Sequence, residues 1–372
     1  MNSRRLVIKK TIIMTVMIIL FVLIVSGSIA NSLSKDRFID RLITKKIEIN
    51  GSMQWISMTE NQHKSGKPVV LFLHGGPGSA NISLLNQITP GINDHAIIVN
   101  WDQRNAGKSF SIFKSRKALS FEQNIEDAHE LTQYLKDFFN VDKITLIGFS
   151  AGTALGIMLV DRYPEDYDLY ISVAQMVNGQ QGESLSLEYT IKKAQELNDT
   201  KALSELEKIH FDFTKPKEIL KNTQKQRKYL LKYGGVYHNY DNYSHEAKSL
   251  WQSKEYTFSD FVFWPMASLV SLKAMWHEVV LLKIEELVPV VNVPIVFFCG
   301  KYDMNNPTLL VKEYYENLVA PKGKELVLFE HSAHAIFWDE QERFEAEVIK
   351  ALDKYTKIKN HTPPNNANYL LR

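Results

Sequence analysis

A single cysteine, Cys299, stands in the 372 residues, so no intrachain disulfide can form. It closes the apolar run Ile295-Val296-Phe297-Phe298, a setting that predicts a buried, inert thiol rather than a nucleophile. Neither sign of charge dominates: Lys and Arg number 44 against 42 Asp and Glu, and a net charge of +2 gives no reason to expect nucleic acid as a partner. No internal repeat recurs, which argues against solenoid and propeller architectures. Nothing in the residue pattern implies a metal or an organic cofactor. What remains is an ordinary globular composition, 45% hydrophobic and 23% charged, long enough for one large core with an insertion.

Charge is also missing locally. Thr11 to Ser34 contains no charged residue, whereas Arg4, Arg5, Lys9 and Lys10 precede it. A run of this length spans a bilayer as a helix, and the basic flank places everything after Lys35 outside the cell. The expectation is a single-pass anchor in the cell membrane. A cleaved signal peptide is the rival, with Ile12 to Val25 as its apolar region, Ser28-Ile29-Ala30 as the cleavage site and a secreted product. No cysteine ends the run, which excludes a lipid-modified cysteine anchor.

Beyond this segment, Ile47 to Ile56 reads as two strands around the turn Asn50-Gly51. Further strands are expected at Val69 to Leu73, Ala96 to Asn100, Lys143 to Ile147, Leu169 to Val173, Ile295 to Cys299 and Glu325 to Phe329. Helical periods separate them, at Phe121 to Phe139, Ala151 to Tyr163, Thr308 to Leu318 and Glu340 to Tyr355. The alternation predicts an α/β fold, a mostly parallel sheet flanked by helices. It breaks between Asn178 and Pro289, where Leu185 to Leu197, Lys201 to Ile209 and Phe261 to Val280 carry helical patterning. The expected organisation is an N-terminal segment (1–34), core (35–177), helical cap (178–289), core (290–355) and a flexible polar tail (356–372).

Two glycine motifs follow apolar strands. His74-Gly75-Gly76-Pro77-Gly78 comes after Val69 to Leu73, and a strand ending in such a turn can aim bare N–H groups at an oxyanion. Gly148-Phe149-Ser150-Ala151-Gly152 sets a serine between strand and helix, where small neighbours are needed around an exposed nucleophile. A serine hydroxyl needs a histidine to take its proton and a carboxylate to orient that histidine. Asp303 and His334 lie just beyond the strands ending at Cys299 and Phe329, at the same sheet edge as Ser150. They are favoured over Asp142, Asp161 and His331, by position.

These motifs, with Trp101-Asp102-Gln103-Arg104-Asn105-Ala106-Gly107-Lys108-Ser109, resemble the prolyl iminopeptidase type of alpha/beta-hydrolase serine peptidases over roughly Ile47 to Tyr355. The resemblance implies the alpha/beta-hydrolase fold with an inserted helical cap. It implies catalytic Ser150, Asp303 and His334, an oxyanion hole from the N–H groups of Gly76 and Ala151, and a structural role for the Asp102 to Arg104 turn. Acidic cap residues hold the free amine in that family, and Glu183 and Glu188 are the candidates here. Two departures stand out. Asn105 replaces the usual glycine, and Gly-Phe-Ser-Ala-Gly replaces Gly-Gly-Ser-Trp-Gly, which leaves proline specificity open.

The activity the resemblance implies is that of a serine hydrolase cleaving a small amide or short peptide through an acyl-enzyme on Ser150, as an aminopeptidase of prolyl iminopeptidase type. A carboxylesterase or lactonase is the alternative, and a non-catalytic binding protein on the same fold is the alternative of another kind. Epoxide hydrolases and dehalogenases are disfavoured, because those relatives carry Asp where this chain has Ser150.

Overall fold

The computed structural model describes residues 42–59, 66–112 and 119–356. Eight strands form one sheet: β1 (Leu42–Ile49), β2 (Ser52–Thr59), β3 (Val69–Leu73), β4 (Ile97–Asp102), β5 (Ile144–Phe149), β6 (Tyr167–Val173), β7 (Ile295–Gly300) and β8 (Lys324–Phe329). Their order is β1-β2-β4-β3-β5-β6-β7-β8, with β1, β2 and β4 joined antiparallel and all pairs from β4 to β8 parallel. The β1–β2 hairpin turns at Asn50 and Gly51, whose φ values of 44° and 67° are the left-handed pair a tight hairpin needs.

The central strands are buried on both faces, so they read as unbroken apolar runs rather than alternations. Alternate residues still choose sides. Leu71 and Leu73 pack with α2 (Phe121–Phe139), α3 (Ala151–Arg162) and α10 (Thr308–Asn317), whereas Val70 and Phe72 pack with α1 (Leu84–Ile88), α11 (Ile336–Asp339) and α12 (Gln341–Tyr355). Helix α2 has the bounds its periodicity predicts, because Ser120 Oγ accepts from the Gln123 N–H at its start and Asn140 takes φ 54° at its end. Cys299 is buried in the first of these layers, and burial pushes its thiol pKa up.

Between β6 and β7 run α4 (Gly179–Glu196), α5 (Thr200–Leu206), α6 (Pro216–Lys232), α7 (Ser244–Gln252), α8 (Phe258–Val280) and α9 (Ile284–Leu287). Arg41–Arg372 cluster as one compact unit that includes these helices. They are bonded to the loops at the carboxyl edge of the parallel strands: Tyr256 Oη donates to Asp102, Trp264 Nε1 donates to the Ala80 carbonyl at 2.7 Å, and the His334 N–H donates to the Val236 carbonyl at 2.9 Å. Helices α6, α7 and α9 were not expected from the sequence.

Among the described residues no helix is long and apolar enough to cross a membrane. The expected anchor, Thr11 to Ser34, and the tail from 357 onward lie outside the described residues. Thr356 itself is buried, its N–H and hydroxyl both bonded to the Leu352 carbonyl.

Candidate active site

The sheet order reverses around β3, whose neighbours are β4 on one side and β5 on the other. Loops leaving β3 and β5 therefore separate and open a crevice at their carboxyl ends. Ser150 sits there, with φ 54° and ψ −122° on the turn from β5 into α3. Such a backbone costs on the order of 1–3 kcal/mol for a non-glycine residue and persists only when its surroundings enforce it. Here the Ser150 N–H is held by the Val173 carbonyl at 3.1 Å. Gly148 and Gly152 permit the close approach: a Cβ on Gly148 would lie 2.7 Å from the Gly152 oxygen, and one on Gly152 would strike the Leu73 carbonyl.

The residues picked out by the motifs converge. His334 Nε2 lies 2.9 Å from Ser150 Oγ, and His334 Nδ1 lies 2.9 Å from Asp303 Oδ2. Asp303 can only accept, so Nδ1 carries the proton and the Nε2 lone pair faces the serine hydroxyl. Asp303 is buried, and its second oxygen accepts the N–H groups of Asn305 and Asn306, each at 2.8 Å. The His334 loop is fixed from the inserted helices as well, since Asp339 accepts from the N–H groups of His238, Asn239 and Ala333. His331 is exposed and bonds Glu340 through its backbone. Asp142 and Asp161 are exposed, the first just before β5 and the second at the end of α3.

Gly75 touches the nucleophile, for a Cβ on it would lie 2.9 Å from Ser150 Cβ. Gly76, the next residue, adopts φ 115°, a conformation that excludes other side chains. Ala151 is the first residue of α3, where helical geometry leaves the N–H without an intrahelical acceptor, and the Ser150 side chain does not cap it. His74 braces this turn. Burial lowers its pKa to about 4, so the ring is neutral; its Nε2 accepts from the Gln103 N–H at 3.3 Å, leaving Nδ1 to donate to the Gly75 carbonyl at 2.9 Å.

The turn after β4 is structural. Arg104 forms two bonds to Asp127, at 2.6 and 2.7 Å, and reaches the Asn50 carbonyl at 3.2 Å. Asn105 takes φ 62°, the left-handed conformation it tolerates in place of glycine. Asp102 is buried and accepts from the Lys108 N–H at 2.7 Å and from Tyr256 Oη at 2.9 and 3.0 Å.

The expected amine-holding pair is not assembled. Glu183 is buried and already neutralised, with Arg227 bonded to both its oxygens and Thr223 Oγ1 donating at 3.0 Å. Glu188 is exposed, and five residues of helix turn it about 140° away from Glu183. A further carboxylate of the inserted helices, Glu246 on α7, receives the Tyr237 hydroxyl. Burial raises its pKa. Asn305 was missed too, and its Nδ2 lies 3.1 Å from His334 Nε2. The signal for Asn305 was the run of short polar residues after Asp303; Glu246 lies in a helix whose polar flanks hid it. Among the described residues no group of three or more His, Cys, Asp or Glu is placed to hold a metal ion.

The family model for the alpha/beta hydrolase fold matches residues 68–341. The Probable aminopeptidase YbaC of Bacillus subtilis is 28% identical over 303 residues, covering 81% of this chain and 93% of its own. The Proline iminopeptidase of Saccharolobus solfataricus is 26% identical over 293 residues, covering 75% and 82% respectively. Among solved structures, a proline iminopeptidase-related protein from Thermus thermophilus superposes with a TM-score of 0.61 at 16% identity, covering 86% of this chain and all of its own. That last likeness bears on the fold alone.

Proposed function

Because the chain belongs to the alpha/beta hydrolase family, we propose that it is a serine hydrolase cleaving small amide or short-peptide substrates, as an aminopeptidase of prolyl iminopeptidase type. The observation carrying this reading is the relay from Ser150 Oγ through His334 to Asp303, with both bonds at 2.9 Å. Ser150 Oγ attacks the carbonyl carbon while His334 Nε2 takes the hydroxyl proton, and Asp303 stabilises the resulting imidazolium. The tetrahedral oxyanion is received by the Gly76 and Ala151 N–H groups, fixed before the charge develops. Collapse expels the amine, which leaves with the proton from His334. Water then attacks the acyl-enzyme with His334 as base, releasing the acid and restoring Ser150.

Glu246 takes the place of Glu183 as the candidate partner for a substrate's free amine, since Glu183 already carries the Arg227 guanidinium whereas Glu246 is bonded by the Tyr237 hydroxyl. N-acetylating the substrate then removes the charge partner and should cost about 2 kcal/mol of transition-state binding, roughly thirtyfold in kcat/KM. The test compares matched free-amine and N-acetyl arylamides on wild type, Glu246→Gln and Glu183→Gln. The expected loss is reproduced by Glu246→Gln alone. Equal rates for the two substrates would instead favour the carboxylesterase or lactonase reading.

Thr11 to Ser34 is read as a membrane anchor with the hydrolase outside, on the strength of four basic residues before an uncharged run. Fractionation should find the protein in the membrane, with the domain open to protease added to intact cells. A soluble form beginning near Asn31 would show signal cleavage instead.

A further inference from the structure

Helix α8 turns an apolar stripe to solvent. Phe258, Val262, Met266 and Leu269 are 51%, 52%, 37% and 39% exposed, and Pro265 is exposed among them. At 100° per residue the five fall within an arc of about 100°, and Lys273 continues the same arc one turn on. A soluble helix would carry polar side chains on this face, and a contiguous apolar patch marks a surface that something covers.

The chain itself says what lies close by. The uncharged run ends at Ser34 and β1 begins at Leu42, so the intervening residues reach no farther than about 30 Å even when fully extended. Leu42 opens β1 opposite Thr59, and Lys46, four residues or about 13 Å along the strand, stands opposite Trp55 on the side of α8. Lys46 of β1 lies over the Trp55 ring at 5.9 Å, Lys108 lies over the same ring at 4.8 Å, and Lys108 pairs with Asp260 in the first turn of α8 at 2.8 Å. A bilayer holding the run would therefore lie within reach of the stripe. Lys273 at its end suits lipid phosphates, its stem lying along apolar surface while the ammonium stays wet.

We propose that the exposed face of α8 docks on the surface of the lipid bilayer, as an interfacial helix of the inserted cap. This rests on reading Thr11 to Ser34 as an anchor. The inner face of α8 packs on the turn beside the nucleophile, since a Cβ on Gly78 would lie 2.6 Å from Ser271 Cβ. Docking therefore bears directly on the roof of the site.

The test uses the full chain in phosphatidylcholine–phosphatidylglycerol liposomes. Cys299 is buried, so Val262→Cys, Leu269→Cys and, as control, Lys350→Cys on α12 each offer one reactive thiol for an environment-sensitive fluorophore. Doxyl-labelled lipid should quench about half the emission at 262 and 269 and less than about a tenth at 350, as expected for a helix at the headgroup boundary. With Val262→Asp and Leu269→Asp together, a probe at Met266→Cys should lose that quenching while the chain still floats with the liposomes. Flotation without quenching at 262 and 269 would overturn the proposal and leave the anchor standing. Failure to float would overturn both. Shielding of both probes that doxyl lipid does not quench, and that rises with protein-to-lipid ratio, would assign the stripe to a second copy of the chain.

Discussion

Asp102→Asn tests the junction between β4 and the inserted helices. Asp102 is buried, and burial lifts its carboxyl from 3.8 to about 7, against the opposing bonds from the Lys108 N–H and Tyr256. Between those two values the folded protein holds a proton that the unfolded chain has released. Its contribution to stability is therefore complete below pH 3.8 and is lost as pH rises through 7. From pH 5 to pH 8 the loss is about 2 to 3 kcal/mol, two pH units below the folded value at 1.36 kcal/mol each. Asn keeps the shape and one acceptor but cannot titrate. Urea unfolding of both proteins at pH 5 and pH 8 should show wild type losing about 2 to 3 kcal/mol more than the variant. His74 works the other way: its depressed pKa adds stability that is complete above 6.5 and lost as pH falls through about 4, and it cancels from this comparison. Equal pH dependence in the two proteins would refute the buried-proton argument.

Asn305→Ala removes an amide 3.1 Å from His334 Nε2 and should lower kcat/KM on the order of tenfold by loosening the ring; wild-type kcat/KM in the variant would count against a positioning role for Asn305. Gly75→Ala should place a methyl against Ser150 and lower kcat on the order of tenfold to a hundredfold, with KM less affected. Wild-type kcat in that variant would show that the turn yields. Arg227→Ala strands the buried Glu183 carboxylate and should cost about 3 to 5 kcal/mol by denaturant unfolding, whereas Arg227→Ala with Glu183→Gln should recover much of it. A loss the double variant does not recover would mean packing rather than charge.

The parts of the molecule visible in the sequence are those written by local chemistry. Val69 to Leu73 has its predicted bounds because Pro68 precedes it and a glycine turn follows, and Ser120 and Asn140 delimit α2 in the same way. The strands around Asn50-Gly51 pair as that turn demands, although β1 begins earlier, at Leu42. What stayed hidden was whatever depends on a distant partner. Glu183 reads as an available carboxylate until Arg227, 44 residues on, is seen upon it. Helix α6 buries only Ile219, Thr223, Gln226, Tyr229 and Leu230 among many lysines and glutamines, too narrow an apolar stripe to announce a helix. Ser150, Asp303 and His334 were legible because the loops carrying them leave parallel strands at one edge, whereas the contact of Asn305 with His334 comes from how that loop closes.

The central claim is that Ser150 is the nucleophile. A fluorophosphonate reacts only with a serine whose proton is drawn off by a neighbouring base, so mass mapping after labelling of the full chain is the most direct measurement. The account predicts one modified residue, Ser150, with labelling abolished by Ser150→Ala and slowed by His334→Ala while circular dichroism stays unchanged. Modification at another serine, equal labelling of the alanine variant, or no labelling of a folded wild type would contradict it. The last of these would return the fold to the non-catalytic binding reading.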